Sequence, residues 1–267
     1  YPTTGGAEFV ELRGHDSWIG CLRFSRDGKQ LLSAGHKQLL VFDVARRMVV
    51  RSFTATEHAP ETHGCRGGID AVDWTADGRR IVAVSRDQQA RVWDGASGKL
   101  LWSMELPASR TRVEFSPDGA VLGLCGNGGA SLRDAANGAL RVALTGHRGR
   151  VTAIRFAPDG RRVATLGEDG WLRFWRTHDG TRLGGVRGHE GSGRAAYFSP
   201  DGRRLATCGE DGRLVLWDVA TRSEVWSRDV DNGYCLAWSR DGDRLWVLPL
   251  DKQVWCFDAV SVRRRPR

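Results

Sequence analysis

Six Asp-Gly dipeptides, each a few residues after an aromatic residue, recur along the chain at nearly even spacing. The first copy is Asp27-Gly28, and the next copies begin 50, 41, 41, 42 and 40 residues further on, ending at Asp241-Gly242. A second series, typified by Trp217-Asp218, repeats in phase with the first. A fixed period of this length indicates one supersecondary unit copied six times. The chain is therefore expected to be a repeat protein whose function lies on a surface and not in a catalytic cluster.

The fifth repeat shows the unit most clearly. Its apolar runs at Ala195–Phe198, Arg204–Cys208 and Leu214–Trp217 are separated by Ser-Pro-Asp-Gly and Glu-Asp-Gly, and a fourth run follows at Ser223–Ser227. Pro presets φ and Gly accepts a positive φ, as tight turns require. The run Leu214–Trp217 is apolar on both faces, so it needs cover on both sides. Four antiparallel strands, a to d, stacked as successive sheets around an axis provide that cover.

This unit resembles the repeat of the WD-repeat β-propeller family. The residues that match the family motif are Gly188-His189, Asp211 and Trp217-Asp218 in the fifth copy, and Gly146-His147, Asp169 and Trp175 in the fourth. Arg176 replaces the final aspartate of the fourth copy, and Lys37 stands at the turn aspartate position of the first. The second, third and sixth copies lack the Gly-His pair. The resemblance extends over about residues 7–259.

We predict an all-β, six-bladed β-propeller built from four-stranded antiparallel blades. The sixth copy stops after its third strand, at Phe257-Asp258, whereas Ala7–Leu12 reads as a fourth strand without a blade. Because an unpaired edge promotes aggregation, we expect Ala7–Leu12 to complete the last blade. The alternative is seven blades, the usual number in the family, with one blade very divergent. The predicted propeller covers residues 1–262, with blades near 15–53, 69–104, 110–144, 147–186, 189–229 and 234–258 plus 7–12, and a basic tail at 263–267.

Two sets of residues have the composition of a catalytic triad, but they recur at the same phase in neighbouring repeats. The sets are His147, Thr165, Asp169 and Trp175 in the fourth repeat, and His189, Thr207, Asp211 and Trp217 in the fifth. A triad needs a nucleophile exposed in a pocket. The family resemblance implies instead a buried chain of hydrogen bonds from Trp through Thr and His to Asp. We therefore interpret both sets as structural, and expect the second, third and sixth repeats, which lack the set, to be held less rigidly.

Composition narrows the class of protein. The six cysteines lie far apart and include no CxxC pair, which favours a reducing compartment, and we expect a cytoplasmic protein. No apolar run approaches the ~20 residues that cross a bilayer, so no membrane association is expected. The net charge of +8 comes almost entirely from arginine and allows an acidic partner.

Two features could suggest other chemistry. The insertion Thr54–Gly68 contains Glu57, His58, Glu61, His63 and Cys65, but their spacing fits no known zinc motif, so no metal or cofactor is expected. Three a–b turns carry the sequence Asp-Gly-Arg-Arg and form a basic rim that could attract phosphates. Each of these turns also carries its own aspartate, and no aromatic residues are interleaved for stacking bases, so nucleic-acid binding is only an alternative.

In this family one face, the top face, is formed by the d–a loops and b–c turns. Trp18 differs in kind from its equivalents in the other repeats, and an exposed Trp among arginines has the composition of an interaction hot spot. The alternative is that Trp18 folds under the 54–68 loop and belongs to the core. The residues expected to contact a partner are Trp18, His36, Arg66, Arg86, Arg148, Arg150, Glu168 and Glu210.

The sequence therefore predicts a non-enzymatic protein-interaction scaffold that binds a peptide or protein loop on its top face. It is expected to be a monomer, and to serve as a module of a larger signalling or regulatory protein. The alternatives are a propeller enzyme or small-ligand binder at the channel mouth, and a nucleic-acid-binding propeller that uses the arginine-rich rim.

Overall fold

Every element assigned in the described part of the chain is a β-strand. The computed structural model describes residues 11–35, 38–54, 68–108, 111–230, 235–248 and 254–259. These residues belong to two units, 1–105 and 106–267, and each unit is considered by itself.

The recurrent Asp-Gly pair closes the hairpin between the first two strands of each repeat. In the first repeat, the Ser25 hydroxyl donates to Asp27 Oδ1 over 2.6 Å, and Gly28 N donates to Ser25 O over 2.9 Å. Gly28 has a φ of 74°, which L side chains rarely adopt. The Asp27 carboxylate also accepts the backbone N–H of Lys29, and these hydrogen bonds lower the pKa of Asp27. The series that defines the period is therefore a set of locally specified turns.

The first unit contains two four-stranded antiparallel sheets in the orders β1-β2-β3-β4 and β5-β6-β7-β8. The strands are β1 (Ile19–Phe24), β2 (Gln30–Gly35), β3 (Gln38–Asp43), β4 (Met48–Thr54), β5 (Ile69–Trp74), β6 (Arg80–Ser85), β7 (Gln89–Asp94) and β8 (Leu100–Glu105). The apolar residues Leu32 and Val41 of the first sheet pack with Val72 and Trp74 of the second in one buried cluster. Burial between the two sheets explains why the facing sides of their inner strands are apolar.

The second unit contains four sheets. Its strands are β9 (Arg112–Phe115), β10 (Val121–Gly126), β11 (Gly129–Asp134), β12 (Leu140–Leu144), β13 (Val151–Phe156), β14 (Arg162–Gly167), β15 (Trp171–Arg176), β16 (Arg182–Arg187), β17 (Gly193–Phe198), β18 (Arg204–Gly209), β19 (Arg213–Asp218), β20 (Ser223–Asp229), β21 (Cys235–Trp238), β22 (Arg244–Leu248) and β23 (Trp255–Asp258). Consecutive sheets pack face to face, as Leu132 against Ile154 and Leu214 against Leu236 illustrate.

The prediction of an all-β chain of six antiparallel propeller blades is confirmed by these six sheets. The sixth sheet has three strands, β21-β22-β23, among the described residues. Residues 7–10 of the predicted closing strand and the tail at 263–267 lie outside the described residues. Leu12 is described outside any strand and packs against Leu31, Leu40 and Phe42 of the first sheet. Completion of the last blade by Ala7–Leu12 therefore stays a prediction.

Candidate functional site

Trp18 lies directly before β1 and is 49% exposed. Its ring covers the backbone of Gly20, where a Cβ would come within 2.7 Å of Trp18 Cζ3. The guanidinium carbon of Arg86, which follows β6, lies 5.9 Å from the centre of the indole ring. This is a cation–π distance, so the ring is held between a cation on one repeat and the backbone of another. A side chain that is half exposed does not fit the alternative in which Trp18 is a core residue.

Arg86 is itself fixed by the second sheet. Its backbone N–H donates to Gly68 O over 3.0 Å, and its Nε donates to Asp70 Oδ1 over 3.3 Å. The exposed side chain of Ile19 lies next to Trp18 in the chain. The first unit thus presents an aromatic and aliphatic ridge bordered by an anchored arginine, which we call the Trp18 site (Trp18, Ile19, Asp70 and Arg86).

Four of the other predicted contact residues lie in the second unit and carry mixed charge. Arg148 and Glu168 are exposed, and Arg150 is half-buried. The Arg150 backbone N–H donates to Glu168 Oε2 over 3.2 Å, and the Glu168 N–H donates to Arg150 O over 2.9 Å. Glu210, on the next sheet, pairs with Arg194 at 3.3 Å. The remaining two predicted contact residues, His36 and Arg66, lie outside the described residues.

The fifth repeat contains a buried chain of hydrogen bonds. Trp217 Nε1 donates to Thr207 Oγ1 over 2.8 Å, His189 Nε2 lies 2.9 Å from the same oxygen, and His189 Nδ1 lies 3.0 Å from Asp211 Oδ1. Because a carboxylate only accepts, Nδ1 carries the proton and Nε2 accepts the threonine hydroxyl. Thr207 has no exposed surface. Its hydroxyl is therefore closed to a substrate, and the set pins a loop to a turn.

The fourth repeat contains the same chain and adds an arginine. Trp175 Nε1 and His147 Nε2 each lie 2.8 Å from Thr165 Oγ1, and His147 Nδ1 lies 2.9 Å from Asp169 Oδ1. Arg173 donates to Asp169 Oδ2 over 2.9 Å. Burial acts to raise the pKa of Asp169, but hydrogen bonds from the Arg148 backbone, His147 and Arg173 lower it to about 2. Burial lowers the pKa of His147, so at neutral pH this histidine is uncharged beside a carboxylate.

In the second sheet an arginine holds the turn aspartate, a contact that the sequence did not predict. Arg91 is almost completely buried, donates to Ser85 Oγ over 3.2 Å and pairs with Asp87 at 3.0 Å. Ser85 also donates to Asp87. The described part of this sheet thus has a cationic side chain that ties strand β6 to its turn aspartate.

A second missed feature joins three consecutive sheets of the second unit. Arg155 Nη1 pairs with Glu114 Oε2 at 2.7 Å, its Nε donates to Ala196 O over 2.9 Å, and its guanidinium carbon lies 4.2 Å from the centre of the Tyr197 ring. Glu114 Oε1 accepts the backbone N–H of Phe156 over 3.0 Å. The sequence carries a signal for these contacts, because Glu114, Arg155 and Tyr197 each stand immediately before the aromatic residue that ends strand a.

The described residues offer little for other chemistry. They contain no group of three or more His, Cys, Asp or Glu side chains placed to hold a metal ion. Burial raises the pKa of the Cys125 thiol to about 12, so it is not a nucleophile at neutral pH. Residues 55–67, with the candidate ligands of the long insertion, lie outside the described residues. Within the described ranges, no helix has the length and apolarity needed to traverse a bilayer.

The arginine-rich turns have mixed charge. Arg79 lies 3.6 Å from Asp77, and Arg162 lies 3.6 Å from Asp159. Each aspartate therefore offsets part of the positive charge that its turn would present to a phosphate.

Sequence comparison relates these repeats to a known family and to several known proteins. The profile of the family described as "WD domain, G-beta repeat" matches residues 6–43, 56–94, 138–176 and 180–218, which together make up more than half of the chain. Similar proteins include the DENN domain and WD repeat-containing protein SCD1 of Arabidopsis thaliana, the WD repeat-containing protein slp1 of Schizosaccharomyces pombe and the serine-threonine kinase receptor-associated protein of Mus musculus. They are 26%, 27% and 27% identical over 64%, 63% and 67% of this chain. The matches span 14%, 35% and 48% of the length of these relatives, less than half in each case.

Proposed function

We propose, from the premise that the chain belongs to the WD-repeat family, that it is a non-enzymatic scaffold that binds a peptide or protein loop through the Trp18 site. WD-repeat proteins generally act as protein-interaction scaffolds. The observation that carries the proposal is the half-exposed indole of Trp18, held against Arg86 at 5.9 Å. Arg148, Arg150, Glu168 and Glu210, with His36 and Arg66, are proposed as further contact residues.

The indole is suited to binding because it is already held in place, so complex formation costs little side-chain entropy. A Trp side chain offers up to about 250 Å² of surface, of which Trp18 keeps about half. Burial of the remaining ~100 Å² is worth about 2–3 kcal/mol. This magnitude is that of a hot-spot residue and corresponds to a roughly 30- to 100-fold change in the dissociation constant.

The chemistry of the site indicates what a ligand should present. Trp18 and Ile19 offer apolar surface, which calls for an apolar or aromatic side chain. Arg86 uses its Nε for Asp70 and is otherwise exposed, so its outer guanidinium nitrogens are placed to donate to a backbone carbonyl or a carboxylate. A loop with one apolar anchor next to a hydrogen-bond acceptor fits both.

A random peptide library displayed on phage and panned on the whole chain tests the proposal. Selected peptides are then measured by fluorescence polarisation against the parent chain and against Trp18→Ala. The expected result is a dissociation constant about 30- to 100-fold higher for Trp18→Ala.

The matched control is Met48→Ala. Met48 is also an exposed apolar residue of the first sheet, but it pairs with Asp43 at the opposite end from the Ile19–Gly35 pair beside Trp18. Met48→Ala is expected to bind as the parent does. If the selected peptides bind Trp18→Ala as tightly as Met48→Ala, the Trp18 site is not the binding surface.

The wider setting of the chain is also a proposal. The relatives are longer than the matched region, and one of them combines WD repeats with a DENN domain by its name. We propose that this chain likewise acts as an interaction module of a larger regulatory protein. The widely spaced cysteines support a reducing, cytoplasmic location.

A further inference from the structure

Every asparagine of this chain is followed by glycine. The three pairs are Asn127-Gly128, Asn137-Gly138 and Asn232-Gly233. The first two lie in the third sheet, and the last lies outside the described residues. Because glycine has no side chain, its backbone nitrogen can approach the asparagine side-chain amide closely and attack it. The same reactive pair thus occurs twice in one sheet, and the structure around each copy decides how readily it reacts in the folded chain.

Asn127 and Gly128 form the turn between β10 and β11. Gly126 pairs with Gly129, so these two residues are the whole of the connection. Both are exposed. Neither the Asn127 side chain nor the Gly128 N–H makes a hydrogen bond with any residue that the structure describes. The attacking nitrogen and the amide carbon are therefore both open to water and held by no hydrogen bond.

Asn137 and Gly138 lie in the turn between β11 and β12 and are tied down. Asn137 Oδ1 accepts the backbone N–H of Ala139 over 2.9 Å, and Gly138 N donates to Asp134 O over 2.8 Å. Gly138 is buried, and its carbonyl accepts Arg133 Nη1 over 3.0 Å. Both reacting groups must give up a hydrogen bond before they can meet.

We propose that Asn127 is a site of spontaneous deamidation. Gly128 N loses its proton to water and attacks Cγ of Asn127, which forms a cyclic imide. The side-chain nitrogen takes up a proton and leaves as ammonia. Water then adds to one of the two imide carbonyls and opens the ring. Attack at Cγ leaves aspartate at position 127, whereas attack at the main-chain carbonyl leaves isoaspartate.

The reaction changes the surface of the third repeat. A neutral side chain becomes a carboxylate, so the net charge of +8 falls by one unit. The new charge directly follows the last residue of strand b, as Glu168 does in the fourth repeat. Isoaspartate also lengthens the main chain beside Gly128, where a Cβ would come within 2.8 Å of Pro107 Cγ. An aged chain therefore differs in charge and in backbone at this turn, whether or not the Trp18 site binds a partner.

Tryptic peptide mapping by mass spectrometry measures the reaction at each asparagine separately. Trypsin cleaves after arginine, so Asn127 lies in peptide 113–133 and Asn137 in peptide 134–141. The folded chain is aged at mildly alkaline pH, and the acid form of each peptide is followed with time. Because Asn137 and Gly138 must first break two hydrogen bonds, Asn127 is expected to deamidate at least about tenfold faster than Asn137. Reversed-phase chromatography should resolve aspartate and isoaspartate forms of peptide 113–133.

The urea-unfolded chain is the matched control. Both turns are lost in urea, so the two peptides are expected to gain the acid form at similar rates. In the variant Asn127→Gln, peptide 113–133 should keep its amide over the same period, because glutamine must close a larger ring. Circular dichroism checks that this variant and the aged chain are folded.

Equal rates at Asn127 and Asn137 in the folded chain would overturn the proposal. The same ratio of rates in urea as in the folded chain would show that the neighbouring sequence, and not the turn structure, selects the site. Aspartate without isoaspartate in peptide 113–133 would contradict the route through the imide.

Discussion

Thr207→Val removes the central group of the buried hydrogen-bond chain in the fifth repeat. Thr207 Oγ1 accepts Trp217 Nε1 over 2.8 Å and lies 2.9 Å from His189 Nε2, with no exposure to solvent. Valine has almost the volume of threonine, so the substitution removes the hydroxyl without opening a cavity. Two buried nitrogens then lose their partner.

The expected loss in the free energy of unfolding follows from the two buried nitrogens left without a hydrogen-bond partner. A buried polar group left without a hydrogen bond costs about 1–3 kcal/mol. We therefore expect Thr207→Val to lower the free energy of unfolding by about 2–4 kcal/mol. Trp217→Phe removes the indole donor, so in the double variant one of the two orphaned groups is absent. The double variant should lose less than the sum of the single losses, with a coupling free energy of about 1 kcal/mol or more.

Urea unfolding followed by circular dichroism measures these values for the parent, both single variants and the double variant. Thr145→Val, at an exposed threonine of the loop after β12, is the control and should change the free energy of unfolding by less than about 0.5 kcal/mol. The reasoning is refuted if Thr207→Val is as stable as Thr145→Val, or if the losses in the double variant are additive.

Three further predictions follow from the same structure. Burial lowers the pKa of His147 and His189 below the ordinary value of 6.5. The unfolded chain therefore binds more protons than the folded chain, and stability should fall as pH drops below 6.5. An unchanged urea midpoint between pH 7.5 and 5 would contradict this. Arg155→Met leaves the partly buried Glu114 without its cation and should reduce the free energy of unfolding by about 2–4 kcal/mol, with part recovered when Glu114→Gln is added. Gly78→Ala should cost about 1 kcal/mol in the same assay because Gly78 has a φ of 69°, although a Cβ there would meet no atom within 4 Å.

Local chemistry explains which parts of the fold were predictable. The Asp-Gly turns could be recognised because the serine hydroxyl, the aspartate and a glycine at positive φ lie within four residues, as at Ser25–Gly28. The strands could be recognised because alternation places apolar residues on both faces. Both signals depend on neighbours in the chain and need no knowledge of the tertiary structure.

Side-chain contacts of the buried arginines were harder to predict. Within the second sheet, Arg91 contacts Ser85 and Asp87 in place of the histidine that a loop supplies in the fourth and fifth repeats, so the absence of the Gly-His pair suggested a gap that the structure fills. The Glu114–Arg155 and Arg155–Tyr197 contacts join residues 41 and 42 positions apart, and only their common place before the strand-a aromatic residue links them in the sequence.

The Trp18 site was predictable in part. The phase of the repeats indicates Trp18, because it differs from the residues at the same position in the other repeats, and Arg86, because it precedes a turn aspartate. Their contact depends on how β1 and the β6–β7 turn meet, which the repeat period alone does not specify. The roles of Gly20, as the surface on which the indole lies, and of Asp70, as the anchor of Arg86, came only from the structure.

Hydroxyl-radical footprinting of the chain with and without a selected peptide tests the central claim most directly. Trp18 is half exposed and Trp217 is almost completely buried, so without peptide Trp18 should oxidise far faster. Saturating peptide is expected to reduce oxidation of Trp18 toward the level of Trp217 and leave that of the exposed Met48 unchanged. Oxidation of Trp18 that stays the same when the peptide is bound would contradict the account.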